Sequence, residues 1–205
     1  MERAGEQRRS HVAAWLALAS LGDTRSSGIH PSPGESDRES IRTAIERASD
    51  YLTEHPEAAT ASDSVAKAVR EDGLRFRVEG PWSPVTTDMA ESVGGAASAP
   101  TPGWLLRAAL AACDATLVAM EAARDGIELT DLEVSVESES DFRGVLGVDP
   151  SVHAGPLSVR VRIRLTAADA TEDQLRAIVE RAESRSPVRD ALVREVPMTT
   201  ELATD

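Results

Sequence analysis

The chain has a single cysteine among its 205 residues, Cys113, and one thiol cannot close an intramolecular disulfide. Oxidative stapling is therefore excluded, and a reducing, cytoplasmic setting is expected. Aromatic side chains are scarce, at three Trp, two Phe and one Tyr, so recognition by stacking is not expected. The core must come from Ala, Val, Leu and Ile, which the 41% apolar content can supply. There is no basic cluster with interleaved aromatics, and a formal charge of -13 repels a phosphate backbone, which excludes nucleic acid as a partner. The four histidines (His11, His30, His55, His153) lack metal-ligand spacing and none adjoins Cys113, so neither a metal nor a cysteine-histidine hydrolase is expected. Gly94-Gly95 precedes no dinucleotide fingerprint; no cofactor is implied, and a hinge or cover over a pocket is the simpler reading. No uncharged apolar run reaches the roughly 18 residues of a membrane span. Arg8-Arg9 followed by Val12 to Gly22 imitates a twin-arginine export signal, but Ala-Ser-Leu-Gly-Asp is a poor cleavage site, so no export is expected.

What the chain does contain divides into three stretches. Residues 1–38 read as a flexible N-terminal segment, since Ser20 to Asp37 is rich in Ser, Gly and Pro without periodicity. Residues 39–72 read as a helical extension. Within it, Ile41, Ala44, Ile45, Ala48, Tyr51 and Leu52 share one helical face before His55-Pro56, and Val65, Ala66 and Val69 suggest a short helix over Asp63 to Glu71. Residues 73–205 read as the main domain. Leu74 to Glu79 alternates like a half-buried strand, and a long loop follows with one short strand near Val85 to Asp88. Thr101-Pro102 opens a helix that closes at Gly126; its nearly continuous apolar surface, charged between Leu105 and Met120 only at Arg107 and Asp114, predicts burial on most sides. Leu129 to Glu139 and Leu157 to Leu165 alternate as strands, one with an acidic and one with an arginine outer face suited to cross-strand pairing. Thr171-Glu-Asp-Gln174 is a capping box, Pro187 starts a further turn, and Glu195 to Glu201 suggests a last strand. The order is that of an α+β fold.

GWLLRAALAACDATL in a buried helix, IELTDLEVSVESESDFRG in the next strand, LSVRVRIRL, and a helix ending RSPVRDAL follow one another in an order that resembles the OsmC/Ohr family across Leu74 to Glu201. The resemblance implies a two-layer α+β domain with a buried central helix, an intertwined homodimer with sites at the subunit interface, and thiol peroxidase activity on organic hydroperoxides. By position, Cys113 matches the peroxidatic cysteine, whose thiolate attacks a peroxide oxygen and becomes a sulfenic acid. The family's second cysteine is replaced by Ser186, which cannot form a disulfide. Any cycle would then need an external thiol reductant. The glutamate that orients an activating arginine in peroxidase branches is replaced by Gly103, and the arginine itself would be Arg75 or Arg77.

On the residues alone, Cys113 is equally a small core side chain among alanines. Asp114 on an apolar helix must be paired or line a cavity: it either borders the site beside Cys113 or pairs with an arginine such as Arg107 or one across the dimer. Ser186 reads as a helix cap before Pro187. Two functions follow, a one-cysteine organic hydroperoxide reductase or a non-peroxidatic module binding a small apolar ligand in an interfacial pocket.

Overall fold

The structure is a computed structural model that describes residues 33–204. The twin-arginine stretch and most of the 1–38 segment lie outside the described residues. Helix α1, Pro33–Glu54, starts earlier than the loop-like composition suggested, because proline's fixed φ suits a first helical turn. It ends before His55-Pro56 as expected, with Ile45 buried and Arg42 bridging Glu39 and Glu46 on the outer side.

Asp63 to Glu71 is not helical. Lys67–Asp72 forms strand β1, turning at Gly73 (φ +47°) into β2, Arg75–Glu79, which in turn pairs with β3, Val85–Thr87. All pairings are antiparallel, with Ala68 opposite Val78 and Phe76 opposite Thr87. The three-residue spacing of Val65, Ala66 and Val69 was compatible with one helical turn, but Asp72-Gly73 is a hairpin signal as much as a helix stop. The alternating β2 supplied the partner that decided between them.

The chain divides into two compact units at Leu105/Leu106, and helix α2, Pro102–Arg124, runs through that division. The Thr101 hydroxyl accepts the Trp104 N–H at 3.2 Å, and Gly126 (φ +70°) lets the backbone close onto the Ala123 carbonyl. In the second unit, β4 (Leu129–Ser140) and β5 (Pro156–Ala167) form an antiparallel ribbon. The acidic and arginine faces meet as expected: Glu133 lies opposite Arg164 and Glu137 opposite Arg160, with ion pairs of 2.6 and 3.0 Å. Exposed as they are, these pairs fix register more than stability, at about 0–1 kcal/mol each. Asp141 caps the short helix α3, Phe142–Val145, between the strands.

Thr171 and Gln174 make the reciprocal capping box that opens α4, Glu172–Arg185, and α5, Pro187–Val193, follows directly. Val118 and Ala122 of α2 pack on Ile178 and Ala182 of α4, with Leu132, Ile163 and Leu165 of the ribbon closing the core. Val118 and Ile178 are fully buried, worth about 1.5–3 kcal/mol each. The rest of α2 is only partly covered in the single chain. Leu110, Asp114, Val118, Glu121 and Ala122 form a single buried stripe, while Trp104, Leu106, Ala109 and Ala112 stay exposed in the single chain. By length and composition α2 could cross a membrane, yet it carries a buried carboxylate on the face that meets the core.

Glu195 to Glu201 forms no strand. Pro197 removes a ladder donor from its middle, and no described strand pairs with it.

Candidate functional site

Four side chains of the second unit meet where α2 faces the start of α5. An apolar helix face carries Cys113 half-buried in the middle of α2, and the next residue, Asp114, turns into the stripe that meets the core, where it is 1% exposed. On the other side, Ser186 is the N-cap of α5 and Pro187 its first residue, as the sequence Ser-Pro predicts. Ser186 accepts the main-chain N–H of Arg189 at 3.3 Å, and its own hydroxyl donates to Cys113 Sγ at 3.3 Å. Buried at 1% exposure, that hydroxyl has few competing partners. A hydroxyl bonds a charged acceptor more strongly than a neutral one, so the contact suits a sulfur on which charge develops during a reaction.

Asp114 pairs with Arg189, whose Nη2 lies 2.6 Å from Oδ2 and also 2.9 Å from Glu183 of α4. Arg107, the partner considered from sequence, instead donates to Ser138 at 3.2 Å. The Asp114–Arg189 pair is incomplete: Asp114 Oδ1 and Arg189 Nε are buried without partners among the described residues. Each such orphan costs about 1–3 kcal/mol. A single charge-assisted bond recovers part of this, so the pair is a poor device for stability and needs another explanation.

A second buried acid, Glu121, shows the contrast. Burial pushes its carboxyl up, but Arg181 and Arg185 donate to it, and the charges of Arg185 and Arg124 add to the pull, so it ends below the ordinary carboxylate range. Both of its oxygens are used, and Arg181 also reaches Asp125. This clamp ties α2 to α4 and leaves nothing free for chemistry.

Arg75 and Arg77 lie in the first unit, each engaged there. Arg75 bonds Glu71 at 3.0 Å and the Ser98 hydroxyl at 2.6 Å, and Arg77 pairs with Glu71 and Glu79. Ser98 passes its proton toward Asp88, a residue the sequence reading missed. The Asp88 carboxylate, 1% exposed, accepts the Ser98 hydroxyl at 2.7 Å and the main-chain N–H groups of Ser98, Met89 and Ala96. Those bonds, the Ser98 hydroxyl first, lower its carboxyl to about 2. Gly94-Gly95 belongs to this wrap: Gly94 has φ +89°, and a Cβ on Gly95 would stand 2.0 Å from the Met89 carbonyl oxygen. The glycines are required for a tight loop around Asp88, a packing role that the sequence alone did not separate from a hinge.

Arg189 was also missed, although Ser186-Pro187 marks a helix start and the third residue of a first turn faces back toward the cap. Among the described residues no group of His, Cys, Asp and Glu could hold a metal ion. The site is thus a thiol with a fixed hydroxyl donor, beside a carboxylate–guanidinium couple and without a second thiol anywhere in the sequence.

Comparison with known proteins agrees with this arrangement of elements. An OsmC-like protein from Mycoplasma pneumoniae superposes with a TM-score of 0.55 at 16% identity, covering 65% of this chain and 89% of that one. An OsmC-like protein of unknown function from Vibrio cholerae gives 0.55 at 12% identity, covering 65% and 96%. An organic hydroperoxide resistance protein from Elizabethkingia anophelis gives 0.50 at 15% identity, covering 66% and 91%. At such identities the likeness speaks for the fold. No curated protein matches by sequence. The family described as OsmC-like protein matches residues 95–201, more than half of the sequence, and spans α2 through α5 with Cys113 and Ser186 both inside it: the chain belongs to the OsmC-like family.

Proposed function

We propose that this protein reduces organic hydroperoxides through Cys113 and is returned to the thiol by an external reductant. The observation that carries the reading is the bond from the buried Ser186 hydroxyl to Cys113 Sγ, at 3.3 Å, on a cysteine that remains half-exposed. The Cys113 thiolate attacks the terminal oxygen of R–O–OH. An S–O bond forms, the O–O bond breaks, sulfur gives up two electrons, and the leaving alkoxide takes a proton to become an alcohol. Cys113 is left as a sulfenic acid. With serine at position 186, no thiol of the same chain can condense with it. An external thiol therefore attacks the sulfur with loss of water, and a second thiol reduces the mixed disulfide, releasing the oxidised reductant. The relative from Elizabethkingia anophelis bears the name organic hydroperoxide resistance protein, in keeping with this substrate class.

The working form is a cytoplasmic homodimer. Only one stripe of α2 is buried in the single chain, and Trp104 and Leu106 are exposed along it, so a second copy is the natural cover. Purified protein mixed with cumene hydroperoxide and a dithiol should turn over saturably, and Cys113→Ser should not. Equal, slow peroxide loss in both proteins would overturn the reading and leave an OsmC fold that binds a small apolar ligand. Gly103 favours that second reading, since no carboxylate stands at the head of α2.

A further inference from the structure

We propose that Arg189 is the positioning residue of this site, holding the Ser186 hydroxyl on Cys113 by gripping Asp114. The inference deepens the reading of Cys113 as the reactive thiol and rests on it for its purpose. Arg189 acts at two points. Its main-chain N–H occupies a lone pair of Ser186 Oγ at 3.3 Å, so the hydroxyl proton is free to point at Sγ. Its guanidinium holds Asp114 Oδ2 at 2.6 Å, one residue beyond Cys113 on the same helix. The two bonds cross the same junction: Cys113 and Asp114 on α2, Ser186 and Arg189 in the first turn of α5. An error in the seating of α5 would lengthen both together.

The incomplete bonding of the pair supports this role. Asp114 Oδ1 and Arg189 Nε are buried with no partners among the described residues, whereas the nearby Glu121 has both oxygens bonded. A couple that gains nothing over apolar side chains of similar volume is not kept for stability. One kept for position tolerates unused polar atoms so long as its single bond fixes the distance. The charged groups bonded across this junction are Asp114 from α2, Arg189 from α5 and, through Arg189, Glu183 from α4. Arg189 also neutralises the carboxylate that stands next to the thiol in sequence, a part of its effect that does not pass through Ser186.

The test is the rate of Cys113 alkylation by iodoacetamide at neutral pH, which needs neither peroxide nor reductant. Ser186→Ala should slow the reaction by roughly tenfold. Arg189→Ala should slow it in the same way. Arg189→Lys should recover most of the loss, because the pair is monodentate and a point charge can make it. In the double variant Ser186→Ala/Arg189→Ala the loss should fall short of the product of the two single losses, since Arg189 acts in part through Ser186. The apolar pair Asp114→Leu/Arg189→Met serves as a folded variant and should alkylate like Ser186→Ala. An Arg189→Ala or Leu/Met rate that matches the parent overturns the proposal, as does a double variant whose loss is the full product of the single losses. The two readings fail separately: slowed alkylation in the variants of a protein that consumes no hydroperoxide would sink the peroxidase reading alone, and unchanged alkylation in the variants of an active peroxidase would sink this one alone.

Discussion

Removing the guanidinium from Arg189 should destabilise the protein far more than removing the charge from Asp114, and the asymmetry can be worked from exposure. Asp114 is 1% exposed, whereas the Arg189 side chain is 26% exposed and has Glu183 at 2.9 Å. Arg189→Ala strands a buried carboxylate. Breaking a buried pair in that direction costs about 3–5 kcal/mol, and the lower end applies because Oδ1 already lacks a partner in the parent. For a chain of this size, about 3 kcal/mol lowers Tm by roughly 6–12 °C. Asp114→Asn leaves a guanidinium that keeps Glu183 and water, so a loss of about 1 kcal/mol is expected. Asp114→Leu/Arg189→Met, which deletes both charges and both orphans, should lie within about 1 kcal/mol of the parent or above it. Urea unfolding of the four proteins, followed by circular dichroism, gives the free energies. The reasoning is refuted if Arg189→Ala and Asp114→Asn are equally stable, or if the double variant loses the sum of the two single changes.

Three further outcomes follow from the geometry. Ser186→Cys places a second sulfur where the hydroxyl now stands 3.3 Å from Cys113 Sγ, and one equivalent of hydroperoxide should then yield an intramolecular disulfide, read by mass spectrometry as the loss of two hydrogens and of both free thiols. Because Asp88 is lowered to about 2, its contribution to the loop is fully present above its unfolded value near 4 and is lost as pH falls through about 2. Amide exchange at Ala96 and Ser98 should stay slow at pH about 4, whereas Asp88→Asn should speed it already at neutral pH. Gly95→Ala, whose Cβ would sit 2.0 Å from the Met89 carbonyl oxygen, should cost about 1–3 kcal/mol in chemical denaturation, through displacement of that backbone.

Much of the chain from Thr101 onward could be read from local chemistry. Thr101-Pro102, the Thr171–Gln174 box and Ser186-Pro187 each state a helix start in their own residues, because caps satisfy amide groups within three positions. The ribbon of β4 and β5 was legible in the same way, since alternation and opposite charge on two outer faces specify one register. Where two readings shared a pattern, local chemistry could not choose. Val65, Ala66 and Val69 suit a helical turn or an edge strand; Val69 joined β1 opposite Arg77 of β2, while Val65 and Ala66 stayed ahead of the strand. Glu195 to Glu201 has strand character but gained no partner among the described strands.

Cys113, the absence of a second thiol and the family order of motifs are properties of the sequence itself, and they fix where the one thiol sulfur stands in the chain and that no disulfide can close within it. What surrounds that atom was a tertiary decision. Asp114 could have met Arg107, seven residues away on its own helix, but that side chain is turned toward Ser138; the partner came from 75 residues downstream, because the start of α5 lands against the middle of α2. Ser186 followed the same path across 73 residues. Separation along the chain carries no information about such contacts, since they are set by which helix faces bury their apolar stripes together, and the stripe of Val118, Ala122, Ile178 and Ala182 is what brings the serine to the thiol.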